Sequence, residues 1–589
     1  CNTPDLKLEF LAGDVTDVLQ EGETKTYTID GKDYEVTLVF VSNPNQGIVQ
    51  AKLSVNGELT DALEDGDTDI LSDGLAMMDV QVECGNVEIT GNLFNLGSLD
   101  VKHHDSKTMI MPSLIHDCFE AKQGPAVLNC YDSRLEGKID PLALGVNKYS
   151  KQLGSFDPVH LTNATDHIID IVNTLDVTSE PRVLSVNEAI NGTDDPSSKP
   201  LDLRTSPGYP FSSGGDYDGS SHFLFTPEFP YKPLQVLQDH VDSRLEMAKA
   251  GQRKSTIWSD KLKDERRSFE KIRLGKTRVF SMVPKDYHIV FRMYFYHFII
   301  MMVQNYNKFF SVSGIDPYSR DWDNLCESLL KYRNIFGGDF ASWDGTLLSS
   351  CMWKFLDVVE SYYKGSKEDK IVRSVLMSDI IQSEHLARNT LYLSCQGNPS
   401  GNPCTTVLNT VCHYMYMCCA WQSLVEVKSR SLLTFSENVV SRIQGDDGIF
   451  SVSDQFRDSF NLVTLKDYFL KIGITYLHPS KTDCTVYYSD LEDWQFLKNW
   501  SRRMDGRWVA CLEQSTIQEM VLWITRSKHN FCAQEACLVN VNTALRFAYW
   551  WGKPYFTWFR NQMIESLKQA GISSLLFSYN DLSIININL

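Results

Sequence analysis

The segment Val439–Val452 constrains this chain more than any other: two apolar runs flank Gly445-Asp446-Asp447-Gly448. Apolar strands around a short Gly/Asp turn predict a tight β-hairpin with two carboxylates at its tip. Alone, an ordinary acidic turn is the better reading, since Gly-Asp-Asp occurs by chance in on the order of one chain in ten this long. A second acidic segment, Gly337-Gly338-Asp339-Phe340-Ala341-Ser342-Trp343-Asp344-Gly345, lies about a hundred residues earlier. It precedes a run in which Leu347, Leu348, Cys351, Phe355, Leu356 and Val359 recur at helical spacing. Residues five apart on one strand face opposite sides. Asp339 and Asp344 therefore share a site only if the strand ends between them, and Gly345 with the following helix predicts that break. Two carboxylates about 4 Å apart repel by roughly 4 kcal/mol at a typical effective dielectric. A chain that gathers Asp339, Asp446 and Asp447 needs a compensating cation. Mg2+, with oxygen ligands and substrate phosphates, suits such a group, and a pair of such ions serves nucleotidyl transfer.

Three further segments surround these acids. In Gln396–Thr410 a Gly/Pro/Ser loop containing Ser400 and Gly401 feeds a helix; exposed amides in such a loop can approach phosphates or a template sugar. Thr405 and Asn409 are four apart and share a helical face. With Asp344 they form a candidate polar cluster for a ribose 2′-hydroxyl, the group that distinguishes RNA from DNA. The alternative is a loop that caps a core helix. The most basic stretch runs from Lys261 through Lys263, Arg267, Lys271 and Lys276 to Arg278. A solvated basic helix is the ordinary reading. Gly275–Phe280, however, reads as a turn into a strand, which would fix these cations for a triphosphate. Lys481 follows a Pro-Ser turn, and Phe496-Leu497-Lys498 sits in an apolar run; by themselves they read as surface and core.

Charge divides the chain. Residues 1–100 hold 20 Asp/Glu against 4 Lys/Arg, and the other 489 hold 55 against 52. The asymmetry predicts separate units. Residues 1–95 read as β structure, with turns at Asp30-Gly31, Asn56-Gly57 and Asp73-Gly74, and resemble small β modules of archaeal surface-layer proteins. The rival reading, the tail of an upstream protease, lacks a histidine in residues 1–100 to activate Cys84. Hydrophobic content of 43% excludes disorder. The start at Cys1 points to a processed product or fragment. The apolar stretch 287–303 carries His288, Arg292 and His297 and reads as a buried helix, not a membrane span. The scattered cysteines have no framework spacing, and the cluster around Cys412, Cys418 and Cys419 reads as buried thiols in a reducing compartment.

Taken in order, these segments resemble the RNA-dependent RNA polymerases of picorna-like positive-strand RNA viruses, over roughly residues 100–589. Thr205–Pro210, with Ser206 and Gly208, resembles the template-entry motif. The basic run, with Lys263, Arg267, Lys271, Lys276 and Arg278, resembles the NTP-entry motif. Asp339 and Asp344 match the first palm motif, Ser400, Gly401, Thr405 and Asn409 the second, and Gly445-Asp446-Asp447 the third. Lys481 falls at the position of the general-acid lysine, and Phe496, Leu497 and Lys498 match the primer grip. Upstream, Lys107-Thr108 with Pro112-Ser113, Pro125–Leu128 and Asp132–Leu135 resemble the start of these enzymes. One departure is Gln444, which stands where these viruses usually have Tyr; the acidic N-terminal segment is a second.

The resemblance implies an α+β right-hand fold with an RRM-like antiparallel palm sheet. Its expected divisions are an N-terminal segment at 1–98, fingers at 99–330 and 356–395, palm at 331–355 and 396–510, and thumb at 511–589. It implies template-directed NMP transfer to an RNA 3′-hydroxyl with two Mg2+ ions, for which Mn2+ substitutes. The implied partners are RNA template and primer, NTPs, a protein primer and other replication proteins. The implied location is the host cytoplasm, at membrane-associated replication complexes. A reverse transcriptase shares the palm and the Asp-Asp turn, but Asp344 with Asn409 argues against it. A surface or adhesion module is supported by residues 1–95 alone.

Overall fold

The computed structural model describes residues 5–10, 23–29, 32–41, 50–59, 63–64, 78–83, 86–99, 101, 107–213, 219–306, 308–480, 486–526, 532–573 and 575–586. Its centre is a four-stranded sheet in the order Val439–Gln444, Asp447–Val452, Asn334–Phe340, Tyr476–Leu477, every pair antiparallel. Helices Thr405–Leu424 and Leu462–Leu470 pack on it, and Ser349–Tyr363 packs on Thr405–Leu424. Phe336, Phe340, Phe355, Trp421 and Phe469 are buried in the core they share with this sheet. This is the α+β architecture expected of the palm.

Helix Lys285–Gln304 is buried almost all round. Among the described residues no helix is long and apolar enough to cross a membrane. A five-stranded sheet, in the order Val279–Met282, Ile257–Leu262, Ser383–Ala387, Thr390–Ser394, Phe94–Ser98, lies beside the palm. Its last strand lies inside the segment expected at 1–98. Phe94–Ser98 pairs with Thr390–Ser394, and Val87 and Leu93 pack with Leu128, Leu142 and Tyr149. The acidic segment thus runs into residues that pair and pack with the five-stranded sheet and its neighbours. The charge boundary and the packing boundary differ because Phe94–Ser98 is an exposed edge strand that needs backbone pairing, not apolar side chains.

The stretch expected to open the fingers meets the C-terminal region. Ile110–Pro112 pairs with Trp523–Thr525, and Ile115 lies in the C-terminal core with Val541, Leu545, Trp550, Phe556 and Phe559. The closing aromatic region is therefore helical core, as expected, and the segment 110–121 packs on it. Arg266 donates to the carbonyl of Glu519 and ties the same two regions together.

At the N-terminus, Thr24–Ile29, Lys32–Val41, Gln50–Val55 and Glu58–Leu59 form an antiparallel sheet. Asn56 and Gly57, at φ 50° and 86°, make the predicted Asn-Gly turn. Asp30-Gly31, Asp73-Gly74 and Cys84 lie outside the described residues. Cys412, Cys418 and Cys419 are buried free thiols. Cys130, by contrast, is disulfide-bonded.

Candidate active site

The acidic tips meet at one end of the central sheet. The strand Asn334–Phe340 pairs with Asp447–Val452 up to Gly338 opposite Gly448. One residue further on, Asp339 pairs with Leu477, and its charge reaches Asp447. Gln444 opposite Asp447 closes the hairpin, with Gly445 at φ 65°. The turn is held from below. The Gly445 N–H donates to Thr410 Oγ1 at 2.8 Å, and His413 Nδ1 lies 3.1 Å from the Gly445 carbonyl. Burial pushes the His413 pKa down to about 3, so the ring is neutral and its Nδ1 donates.

Asp344 sits in the short helix Trp343–Thr346, just past the strand end. The predicted break is real, but its hinge is Ser342, in left-handed conformation at φ 55°. Gly345 is needed for space instead: a Cβ there would lie 2.8 Å from the carbonyl oxygen of Lys148.

These acids lie close enough to act on one another. Burial, joined by the charges of Asp446 and Asp339, raises the Asp447 pKa to about 7 against the opposing Leu497 N–H and Lys498. Burial and then Asp446 raise Asp344 to about 6, against Lys148, Arg278 and a hydrogen bond from Asn409. Such a group is incomplete without a cation, and all its donors are hard carboxylate oxygens, which fits Mg2+. Among the described residues no three Asp, Glu, His or Cys side chains close on one point. The three predicted ligands Asp339, Asp446 and Asp447 are thus neighbours and not a preformed cage, consistent with an ion that takes the rest of its shell from phosphates and water.

Asp447 Oδ2 accepts from the Leu497 N–H at 2.7 Å. Leu497 and Lys498 are the two central residues of a hairpin turn closed by Phe496 opposite Asn499, at φ 50° and 61°. Such turns favour Asn-Gly, and a bulky residue there costs on the order of 1–3 kcal/mol. This strained turn, expected as the primer grip, is aimed at Asp447.

The ribose cluster is present in part. Asn402 donates to Asn398, Asn398 Nδ2 donates to Asn409 Oδ1 at 2.9 Å, and Asn409 bonds Asp344. Thr405 departs from expectation: its hydroxyl donates to the carbonyls of Ser400 and Asn402, at 3.2 and 2.9 Å, and so holds its own loop together. That loop is clamped to the basic strand, since a Cβ on Gly401 would lie 1.8 Å from the Ser281 carbonyl oxygen. The template-entry stretch meets the same region. Gly208 N–H approaches Ser206 Oγ at 3.3 Å, and Lys285 donates from its main chain to Pro207 and from Nζ to Thr205.

The basic residues are fixed, but not as free clamps. Arg278 pairs with Glu265 through two hydrogen bonds, and Arg267 and Lys263 approach the same carboxylate at 3.5 and 3.9 Å. Burial opposes ionisation of Glu265, yet these cations keep its pKa low. Arg278 also feels Asp344 and Asp446, so it faces the acidic group. Arg267 donates to the Lys276 carbonyl, and Lys271 lies in the turn of helix Phe269–Arg273. Sequence reading missed Lys148, whose pKa is lowered by burial and by Arg267 and which neighbours Asp344. It also missed Glu265, Thr410 and His413. Glu265 stands out as an acid inside the most basic run; the others carry no local signal. Lys481 lies outside the described residues.

Comparisons with known proteins agree with this geometry. A family model described as viral RNA-dependent RNA polymerase matches residues 111–568. The replicase polyprotein of acute bee paralysis virus is 31% identical over 74% of the chain, and that of cricket paralysis virus 30% over 74%. The genome polyprotein of rice tungro spherical virus is 29% identical over 84%. The chain spans 24%, 26% and 15% of these polyproteins. A solved structure of the sicinivirus 3Dpol RNA-dependent RNA polymerase superposes with a TM-score of 0.72, at 19% identity, over 84% of this chain and 99% of its own. A central antiparallel sheet with acidic neighbours at one end and a family match over most of the chain lead to one conclusion: the chain belongs to the viral RNA-dependent RNA polymerases of picorna-like viruses.

Proposed function

We propose that this chain is the catalytic polymerase unit of a picorna-like replicase polyprotein, transferring NMP from an NTP to an RNA 3′-hydroxyl on an RNA template. The observation that carries this reading is that Asp446 acts on both Asp344 and Asp447, and Asp339 on Asp447, so that burial first and these neighbouring charges second hold Asp344 and Asp447 far above the usual carboxylate range. Asp339 and Asp446 would hold two Mg2+ ions, Mn2+ substituting, and Asp447 would assist. Bound there, such ions polarise a 3′-hydroxyl and neutralise charge on departing pyrophosphate.

The chain's own groups do the rest. Arg278, Arg267, Lys263, Lys271 and Lys276 hold the triphosphate, with Glu265 keeping Arg278 and Arg267 in place until phosphate oxygens arrive. Asp344 and Asn409 accept and donate at the ribose 2′-hydroxyl. Leu497 and Lys498 seat the primer end against Asp447. Lys481 is assigned, from the family resemblance, to protonate the leaving group. We assign the fingers to residues 86–109, 122–330 and 356–395, the palm to 331–355 and 396–510, and the thumb to 511–589 with 110–121 packed on it. RNA template, primer and NTPs are the substrates. A protein primer and other replication proteins are the proposed partners, at membrane-associated complexes in the host cytoplasm.

The test is UTP incorporation on poly(A) with an oligo(U) primer and Mg2+. Asp446→Ala abolishes incorporation while RNA binding persists. Normal incorporation by that variant overturns the assignment.

A further inference from the structure

A cavity of about 330 Å³ lies beside the catalytic turn, between the end of helix Lys285–Gln304, the stretch around Ser313 and the first turn of helix Thr405–Leu424. Ile299 and Val303 give it an apolar wall, and Ser313, Thr405, Thr406 and Gln444 line it with polar groups. The side-chain carbonyl oxygen of Gln444 is buried and accepts no hydrogen bond. A buried acceptor without a donor costs about 1–3 kcal/mol, so such an atom calls for a partner. Two nearby hydroxyls are committed elsewhere. Thr405 is committed to Ser400 and Asn402, and Thr410 donates to the Thr406 carbonyl at 2.7 Å.

The cavity is wired to the site. Gly445, next to Gln444, donates to Thr410, and Asn409, which bonds Asp344, is on the helix whose first turn forms the wall. A group lodged there thus lies one hairpin residue from Asp446 and one helical turn from the ribose-reading pair. An apolar wall with a few convergent polar atoms is the make-up of a small-ligand pocket. On a polymerase the group that suits it is the sugar edge of RNA. The minor groove of an A-form duplex offers a row of 2′-hydroxyl donors, whereas the pairing edges of its bases are already engaged.

Resting on the polymerase reading, we infer that Gln444 is a specificity-determining residue whose side-chain oxygen accepts a hydrogen bond from the 2′-hydroxyl of an RNA strand seated in this cavity. The position where the family usually carries Tyr would then read the sugar of RNA already in the palm, a selection separate from that of Asp344 and Asn409 on the incoming nucleotide.

The experiment is a single-position 2′-deoxy scan over the last three primer nucleotides and the template nucleotides opposite them, read as single-turnover kcat/KM for the full chain and for Gln444→Leu. The wild type loses roughly three- to tenfold at one position, the worth of one hydrogen bond. Gln444→Leu loses a similar factor on all-RNA substrate and is insensitive at that position. The sensitive strand identifies the source of the hydroxyl as primer or template. Gln444→Met, close in shape, gives the same reading if Leu disturbs folding. Undiminished sensitivity of the variants at every position, or no sensitive position in the wild type, overturns the inference. A wild type that makes no RNA on any substrate instead overturns the polymerase reading.

Discussion

Replacing Asp447 with Asn should stabilise the metal-free protein, and only where the carboxylate would be ionised. Asp447 titrates near 7 in the folded chain against 3.8 in the reference state. The folded state therefore binds a proton that the unfolded chain has already released between about pH 4 and 7. Stability from this group is highest below that window and falls as pH rises through it. The shift of about 3 units amounts to roughly 4 kcal/mol above pH 8, at about 1.36 kcal/mol per unit. Asn keeps an oxygen for the Leu497 N–H but cannot ionise. At roughly 2.1 cal/mol/K per residue, a body of about 490 residues has an unfolding entropy near 1 kcal/mol/K, so the gain is about 4 °C in Tm. The assay is thermal unfolding of both proteins in EDTA at pH 5 and pH 8. The variant should melt about 2–4 °C higher at pH 8 and level with the wild type at pH 5, and Mg2+ should narrow the gap by stabilising the wild type. An equal gap at both pH values, or a variant that melts lower at pH 8, refutes the argument that repelling, buried carboxylates shape this site.

Other outcomes follow from the same geometry. Asn409→Ala removes the bond to Asp344 and should relax discrimination against dNTPs by about tenfold, roughly one hydrogen bond to a charged group; an unchanged rNTP/dNTP ratio removes Asn409 from that role. Gly401→Ala forces a Cβ onto the Ser281 carbonyl oxygen and should cost about 2–3 kcal/mol or displace the loop, seen as a lower Tm with incorporation down at least about tenfold. Deleting residues 1–85 should leave poly(A)-directed synthesis intact, whereas deleting 1–99 removes the edge strand Phe94–Ser98 and the Val87 and Leu93 contacts and should abolish it. Equal activity of the two truncations contradicts the placement of residues 86–98 in the polymerase body.

Local signals in the sequence determined the hairpin at Gly445-Asp446, the strand break between Asp339 and Asp344, the shared helical face of Thr405 and Asn409, and the acidic N-terminal β segment. Each rests on short-range sterics, such as turn conformation, side-chain alternation and helical repeat, which a few neighbouring residues settle. The tertiary structure alone decided which distant groups meet. It placed Lys148 beside Asp344, turned Glu265 into the hub of the basic run, spent the Thr405 hydroxyl on its own loop and paired Ile110–Pro112 with Trp523–Thr525. An apolar pattern says which face of an element is buried but not which element covers it. Charge composition likewise marked residue 100, while the backbone of Phe94–Ser98 pairs with a strand nearly 300 residues away, which composition does not reveal. Long-range packing chooses among many locally acceptable partners, and that choice is made by the whole core at once.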